Sequence, residues 1–270
     1  MTAGPFKLTR RLALAGVAVA ALTGAAAPDD FDTKTQIGPN PVLPEPQQYL
    51  IPPMHLAKVV GWKDGEMPTV PDGLKVTAMA TDLVHPRSAY TLPNGDVLVV
   101  ESQGPGLEPV SRPKTVVMHW VESWATSAGS GPGANRITLL RDTHGDGKYD
   151  LRTVFIDHLY SPFGVALVGN DLYVANTDAV LRFHYTPGAT SINEPGTVLT
   201  PLPGGPIDHH WTKSLVASED GTKLYAGVGS NSNITENGIG AELDRASIWE
   251  IAARPAPTAS SPTACATRTA

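Results

Sequence analysis

Three stretches of the chain repeat one order of apolar and polar positions. Each has an apolar run, then a tight turn of Asn, Asp and Gly, then a second short run rich in Leu, Val and Tyr. They are LPNGDVLVVES at 92–102, VGNDLYVANTDAVLRFHY at 168–185 and SEDGTKLYAGVGSNSN at 218–233, preceded by apolar runs at 89–92, 163–168 and 215–217. Short runs bounded by Asn-Gly or Asp-Gly turn chemistry predict β-hairpins. Further strands are predicted for ITLLR and LRTVFI, on either side of residues 142–150, and for residues 248–251. Helical periodicity is scarce, so the predicted fold class is all-β. Hairpins recurring at irregular spacing describe propeller blades with inserted loops. A β-sandwich would also show short strands between turn signals, and the β-propeller is the architecture adopted.

The first residues follow another pattern. MTAGPFKLTRR is a basic start, LALAGVAVAAL an apolar stretch too short to span a bilayer, and Ala25, Ala26 and Ala27 form a small-residue exit. Residues 1–27 therefore read as an export signal, by the Sec or, through Arg10 and Arg11, the twin-arginine route. The mature protein is expected to be periplasmic or secreted and not integral to a membrane. Residues 28–72 are rich in Pro and read as an extended lead-in, with the propeller part at 73–251. The chain has 270 residues, 41% hydrophobic, with 20 Lys and Arg against 26 Asp and Glu. That acidic balance, with no basic run beyond Arg10 and Arg11, argues against nucleic acid as a partner. Cys265 is the single cysteine, so the body has neither a disulfide nor a cysteine-held metal.

Two stretches carry candidate chemistry. Residues 142–150, DTHGDGKYD, place Asp142, Asp146 and Asp150 at positions 1, 5 and 9 of a calcium-loop pattern, with Gly147 at position 6. His144 stands at position 3 and Thr153 at position 12, where oxygen ligands are needed, and the strand-like flanks favour a polar hairpin turn. The second stretch, GPIDHHWTKSL at 205–215, sets Asp208, His209, His210 and Lys213 between a Gly/Pro loop and a strand, where propeller loops converge. A neutral imidazole there can take a proton from an alcohol, and a nearby cation can stabilise charge on an acceptor. The alternative is a pair of loop histidines with Trp211 as a packing anchor. The run GVGSNSN at 227–233 either lines a polar pocket or simply turns.

With these residues in view, the chain resembles the soluble quinoprotein glucose/sorbosone dehydrogenases, most closely the L-sorbosone dehydrogenase branch. The matching stretches are HPRSAYTLPNGDVLVVE (85–101), ITLLRDTHGDGKYDLRTVF (137–155), SPFGVALVGNDLYVANTDAVLRF (161–183) and GPIDHHWTKSLVASEDGTKLYAGVGSNSNITENG (205–238), within residues 73–251. The resemblance implies a six-bladed propeller that holds pyrroloquinoline quinone (PQQ) and Ca²⁺ and oxidises a small sugar aldehyde or aldose by hydride transfer to the quinone. It also implies a periplasmic electron acceptor. The implied base is His210 or His209: the aromatic Trp211 after it favours His210, and the Asp208-His209 pair favours the other. By the same resemblance Lys213, Ser230 and Asn231 fall on the cofactor side and Asp208 and Ser161 on the substrate side; the calcium-loop spacing leaves Asp142, Asp146 and Asp150 as the metal candidates.

The chain then departs from the pattern. The family continues into Gly-Leu-Arg-Asn-Pro-Asn-Gly, whose Arg contacts the quinone, and into further blades. Here residues 252–270 are an Ala/Pro/Thr-rich tail, and only about half of a six-bladed ring is expected. Back-translating residues 260–270 and shifting the frame gives Ile-Phe-Ala-Asp-Gly-Leu-Arg-Asn-Pro-Asn-Gly. A frameshift near residues 252–254 is therefore expected, leaving a truncated chain without the family activity. A genuine low-complexity tail is the alternative. Two other functions fit the sequence: a Ca²⁺-dependent lactonase-type propeller using Asn231, Asn233 and Glu236, and a non-catalytic propeller fragment that binds through its open edge.

Overall fold

The structure is a computed structural model, and it describes residues 37–42, 62–63, 65–105, 133–205, 209–232, 235, 237–254 and 267–269. The signal segment, most of the lead-in, Asp208, Asn233, Glu236 and residues 255–266 lie outside the described residues. The chain divides into Met1–Lys58 and Val59–Ala270. All that follows concerns the second unit. Among the described residues no helix is long and apolar enough to cross a membrane.

Among the described residues, twelve strands form three four-stranded antiparallel sheets, each a simple meander. Sheet A holds β1 (Pro86–Thr91), β2 (Val97–Glu101), β3 (Arg136–Arg141) and β4 (Leu151–Ile156). Sheet B holds β5 (Gly164–Val168), β6 (Asp171–Ala175), β7 (Ala179–His184) and β8 (Thr197–Pro201). Sheet C holds β9 (Lys213–Ala217), β10 (Lys223–Val228), β11 (Ser247–Ala252) and β12 (Thr267–Thr269). The three repeated stretches of the sequence are thus the first hairpin of each sheet. Their turns are closed locally: Gly95 adopts φ +89°, Gly169 +57° and Gly221 +67°, conformations that favour glycine. The strand β12 takes the fourth place in sheet C, pairing Thr267–Thr269 with residues 248–250 of β11. This part of the tail had been expected to be an aberrant extension.

Alternation along the strands decides how the sheets stack. Leu98 and Val100 of β2, with Ile137 and Leu139 of β3, share a buried cluster with Leu172 and Val174 of β6 and Phe183 of β7. The intervening β6 residues, Tyr173 and Ala175, face the other way and pack with Leu224, Ala226, Val228 and Ile251 of sheet C. Sheet B is therefore apolar on both faces. The far face of sheet A, at Val97, Val99 and Leu140, is covered by Ala80, Leu83 and Tyr149. The far face of sheet C exposes Val216 (60%) and Ile248 (57%).

The first strands β1, β5 and β9 lie side by side around a groove of about 480 Å³, lined by residues 88–90, 163–166 and 214–217. This contact is tight at Gly164, where a Cβ would come within 2.5 Å of the Leu215 nitrogen and 2.6 Å of the Lys213 carbonyl. Both obstacles are backbone, so β5 and β9 would have to part. Gly164→Ala is expected to destabilise the fold by about 1–3 kcal/mol. That lowers the melting temperature by about 2–12 °C in a unit of this size, measurable by circular dichroism.

Candidate functional site

The meander directions place several loops at one end of the stack: the starts of β1, β5 and β9 and the ends of β2, β6 and β10. This rim is held by side chains that reach between sheets. Ser88 Oγ donates to the Phe163 carbonyl at 2.6 Å, and Ser102 Oγ donates to that of Pro162 at 2.5 Å. Thr177 Oγ1 lies 3.2 Å from the carbonyls of both Ser161 and Trp211. It ties the turn before β5 to the turn before β9.

Trp211 is central to the rim. The Phe163 ring meets it edge-on at 6.4 Å, and the Arg87 guanidinium lies over it, 5.5 Å from the ring centroid. Two features bring these groups together. The β1–β2 register shifts between Pro86 and Ser88, a bulge that re-aims the residue between them. Gly104 lies so close that a Cβ would stand 2.8 Å from the indole. Arg87 Nε donates to the Ser102 carbonyl at 2.9 Å, and its terminal amino groups have no hydrogen-bond partner among the described residues. Sequence reasoning did not single out Arg87. An exposed arginine beside a helical or strand proline has no local signature of its role.

His210 is exposed, and its position is well defined. Its Nδ1 lies 3.1 Å from the Ser230 carbonyl and 2.9 Å from Ser230 Oγ. A carbonyl oxygen only accepts, so Nδ1 carries the proton. The Ser230 hydroxyl donates to the Ser232 carbonyl at 2.9 Å, which leaves its lone pairs for the same Nδ1–H. A neutral His210 held this way has an unprotonated Nε2. Gly229 permits the approach, since a Cβ there would lie 2.5 Å from His210 Cβ. His209 is tied differently: its backbone N–H donates to the Asn231 carbonyl at 3.3 Å.

The structure brings His209, His210, Lys213, Ser230 and Asn231 into one hydrogen-bonded unit and joins Ser161 to it through Thr177 and Trp211. Lys213 is fully buried (0%), and its ammonium donates to the carbonyls of Trp211 at 3.1 Å and His210 at 3.4 Å. It secures the turn that carries the histidine. Ser161 and Asn231 are also buried, Ser161 with φ +44°. Asp208 lies outside the described residues.

Asp142, Asp146 and Asp150 sit apart from this rim. They connect β3 to β4 at the opposite end of sheet A, as the pairing of Glu101 with Arg136 and of Val97 with Leu140 requires. The Asp142 carboxylate accepts the backbone N–H groups of His144, Gly145, Asp146 and Gly147 at 2.7–3.2 Å. The Gly147 N–H leads in holding its pKa below the usual aspartate value. Asp150 accepts from the Thr143 hydroxyl and N–H, which lower its pKa to about 2. The converging N–H dipoles stabilise the Asp142 carboxylate. Among the described residues no group of three or more His, Cys, Asp or Glu side chains is arranged to hold a metal. The three carboxylates close a hairpin turn, the alternative weighed for them in the sequence.

No curated protein matches this chain in sequence. Among solved structures, the chain is similar to the holo form of the pyranose dehydrogenase PQQ domain from Coprinopsis cinerea. The identity is 18%, over 68% of this chain and 37% of that one, with a TM-score of 0.48. It is also similar to the calcium structure of the carbohydrate-active enzyme family AA12 protein from Trichoderma reesei, at 16% identity over 69% of this chain and 40% of that one, TM-score 0.44. The iodide structure of the same protein gives 16% identity over the same shares and a TM-score of 0.45. The chain spans 37–40% of the length of these proteins. A family model described as a domain of unknown function, DUF7133, matches residues 69–260. That match takes in all of sheets A and B, the first three strands of sheet C and the whole rim, and the chain belongs to the DUF7133 family.

Proposed function

We propose that the three sheets are successive blades of a β-propeller and that the rim around His210 is the proton-accepting side of a PQQ-dependent sugar dehydrogenase. The substrate is a small sugar aldehyde or aldose, in keeping with the sequence resemblance to L-sorbosone dehydrogenases. The observation that carries this reading is His210 itself, whose Nδ1–H is fixed by Ser230 and whose Nε2 is left as an exposed base. Four-stranded meanders with their first strands around one groove suit a propeller.

Arg87 is the rim cation placed for such a cofactor: its terminal amino groups would pair with a carboxylate, beside Trp211. When bound, PQQ supplies the two-electron acceptor that no side chain here can provide. The chain's own contribution is proton transfer: Nε2 of His210 takes the proton of the hydroxyl on the carbon being oxidised, the anomeric hydroxyl of an aldose or a hydroxyl of the hydrated aldehyde. The positive charge that results on the ring is stabilised by the carbonyl and hydroxyl oxygens of Ser230 facing Nδ1. No step is assigned to a metal through Asp142, Asp146 and Asp150.

The test is to incubate with PQQ both the purified chain and a chain continued in the frame restored near residues 252–254, measure cofactor retention by equilibrium dialysis, and follow dye reduction with L-sorbosone and with glucose. PQQ retention with sugar-dependent dye reduction is expected of the frame-restored chain, and no turnover of the chain that ends in the Ala/Pro/Thr-rich tail. Failure of the frame-restored chain to retain PQQ overturns the reading. EDTA-sensitive lactone hydrolysis without PQQ would favour the lactonase-type propeller instead, and self-association without either activity the binding fragment.

A further inference from the structure

A carboxylate that the sequence gives no reason to notice lies one step behind the histidine. After β10 the chain passes through the loop 229–232 and returns by a single 3₁₀ turn, Ile239–Glu242, before entering β11. Glu242 closes that excursion. Its Oε2 accepts the Asn231 N–H at 2.6 Å, and its Oε1 accepts the Ser232 N–H at 3.1 Å and the Ser232 hydroxyl at 2.9 Å. Three donors from two consecutive residues therefore converge on one side chain. Asn231 and Ser232 are 3% and 2% exposed, so little water is at hand to replace the carboxylate.

The same two residues carry the parts that hold the histidines. The Ser232 carbonyl accepts from Ser230 Oγ, the Asn231 carbonyl accepts from the His209 N–H, and the Ser230 carbonyl and hydroxyl face His210 Nδ1. We infer that Glu242 is a positioning residue: its grip on the 231–232 backbone sets the place of Ser230 and thereby the Nδ1–H tautomer and ring orientation of His210. The inference rests on the reading of His210 as a base only for its importance to turnover. The contacts themselves stand without it.

Chemistry distinguishes Glu242 from its isosteres. A carboxylate accepts on both oxygens, and it must, because the three groups facing it are all used as donors. In Glu242→Gln one arm becomes an NH₂ group that confronts a donor. The N–H of Asn231 or that of Ser232 would then lose its partner, at a buried site where an unmet donor is costly. Glu242→Ala removes both arms. With Ser230 released, His210 has nothing to keep its proton on Nδ1, and the two tautomers exchange.

The readout is the ring itself. With the full chain labelled by ¹⁵N-histidine at a pH where His210 is neutral, its ring signals are assigned by their loss in His210→Gln. They should show one Nδ1–H tautomer in the parent. In Glu242→Ala they should move toward the averaged or Nε2–H pattern, with an unchanged circular-dichroism spectrum. Glu242→Gln should fall between, and it serves where the Ala variant does not fold. His210 signals in a folded Glu242 variant that coincide with those of the parent would overturn the inference. The tautomer experiment needs neither PQQ nor substrate, so failure of the dehydrogenase reading leaves its result intact.

Discussion

In the frame-restored chain, replacing His210 by Gln should lower PQQ-dependent dye reduction by about 10²–10⁴-fold, the range for loss of a positioned general base. PQQ retention in dialysis should stay close to that of the parent. The split follows from where the imidazole stands. Its Nδ1 is occupied by Ser230, so the ring acts through Nε2, and Nε2 can take a proton from substrate without contributing to a binding pocket for the cofactor. The glutamine amide keeps the volume and a hydrogen-bonding edge but cannot accept a proton at neutral pH. His209→Gln is the control. Its backbone N–H to the Asn231 carbonyl survives the substitution, and with His210 as the base its loss of turnover should be smaller than that of His210→Gln. Equal losses in the two variants would remove the assignment of the base to His210. Weakened PQQ retention in His210→Gln would show that the ring serves binding as well.

The largest effect on stability is expected at Glu101, at the end of β2. Its side chain is fully buried and accepts from Arg136 Nε at 3.0 Å, from the Thr138 hydroxyl and from the Val84 N–H. Glu101→Ala strands a buried hydroxyl and a backbone donor and leaves Arg136, about a quarter exposed, without its counterion. The cost should be about 3 kcal/mol, the low end for breaking a buried pair because Arg136 can reach water. The melting temperature should fall by about 6–12 °C. The effect has a pH signature. Burial alone would raise the Glu101 pKa, but hydrogen bonds from Arg136, Thr138 and Val84 outweigh it, and the folded value lies below the ordinary 4.5. A depressed folded pKa means that the stabilisation is full above about pH 4.5 and is lost as pH falls through the folded value. Glu101→Gln should therefore differ most from the parent at neutral pH, and the gap in melting temperature should narrow on acidification. A constant gap from pH 7 to pH 3 would place the effect in packing rather than in charge.

The first hairpins were legible in the sequence because their turns are closed by their own residues. Gly95, Gly169 and Gly221 supply the positive φ values, and Asp220 accepts from Ser218 and Thr222 within the turn itself. Strands such as β8 were not, since only Thr200 of Thr197–Pro201 is buried, and a mostly exposed edge leaves no apolar alternation to read. The strand β12 lies in an Ala/Pro/Thr-rich stretch with no alternation either.

At the site, the histidine pair beside Trp211 announced itself by residue type. Its supports did not. Arg87 reaches Trp211 across more than one hundred residues of chain, and Glu242 meets Asn231 through a loop that has no motif. Lys213 shows the limit in the opposite direction. A lysine before a strand looks available to a ligand, yet it shares the inward face of β9 with Leu215 and Ala217, and period-two alternation predicts its burial.

Each sheet is one unbroken stretch of sequence, and among the described residues the two large buried clusters join sheet A to sheet B and sheet B to sheet C, the neighbours in chain order. Contacts of this kind have modest sequence separation, so the loop-closure entropy of any one step is small. The stack can therefore assemble one sheet at a time, as the chain becomes available from its amino-terminal side. Sheet B then acts as the shared template. Docking on sheet A orders Leu172 and Val174, and the same strand presents Tyr173 and Ala175 as a preformed apolar surface for the sheet that carries His210.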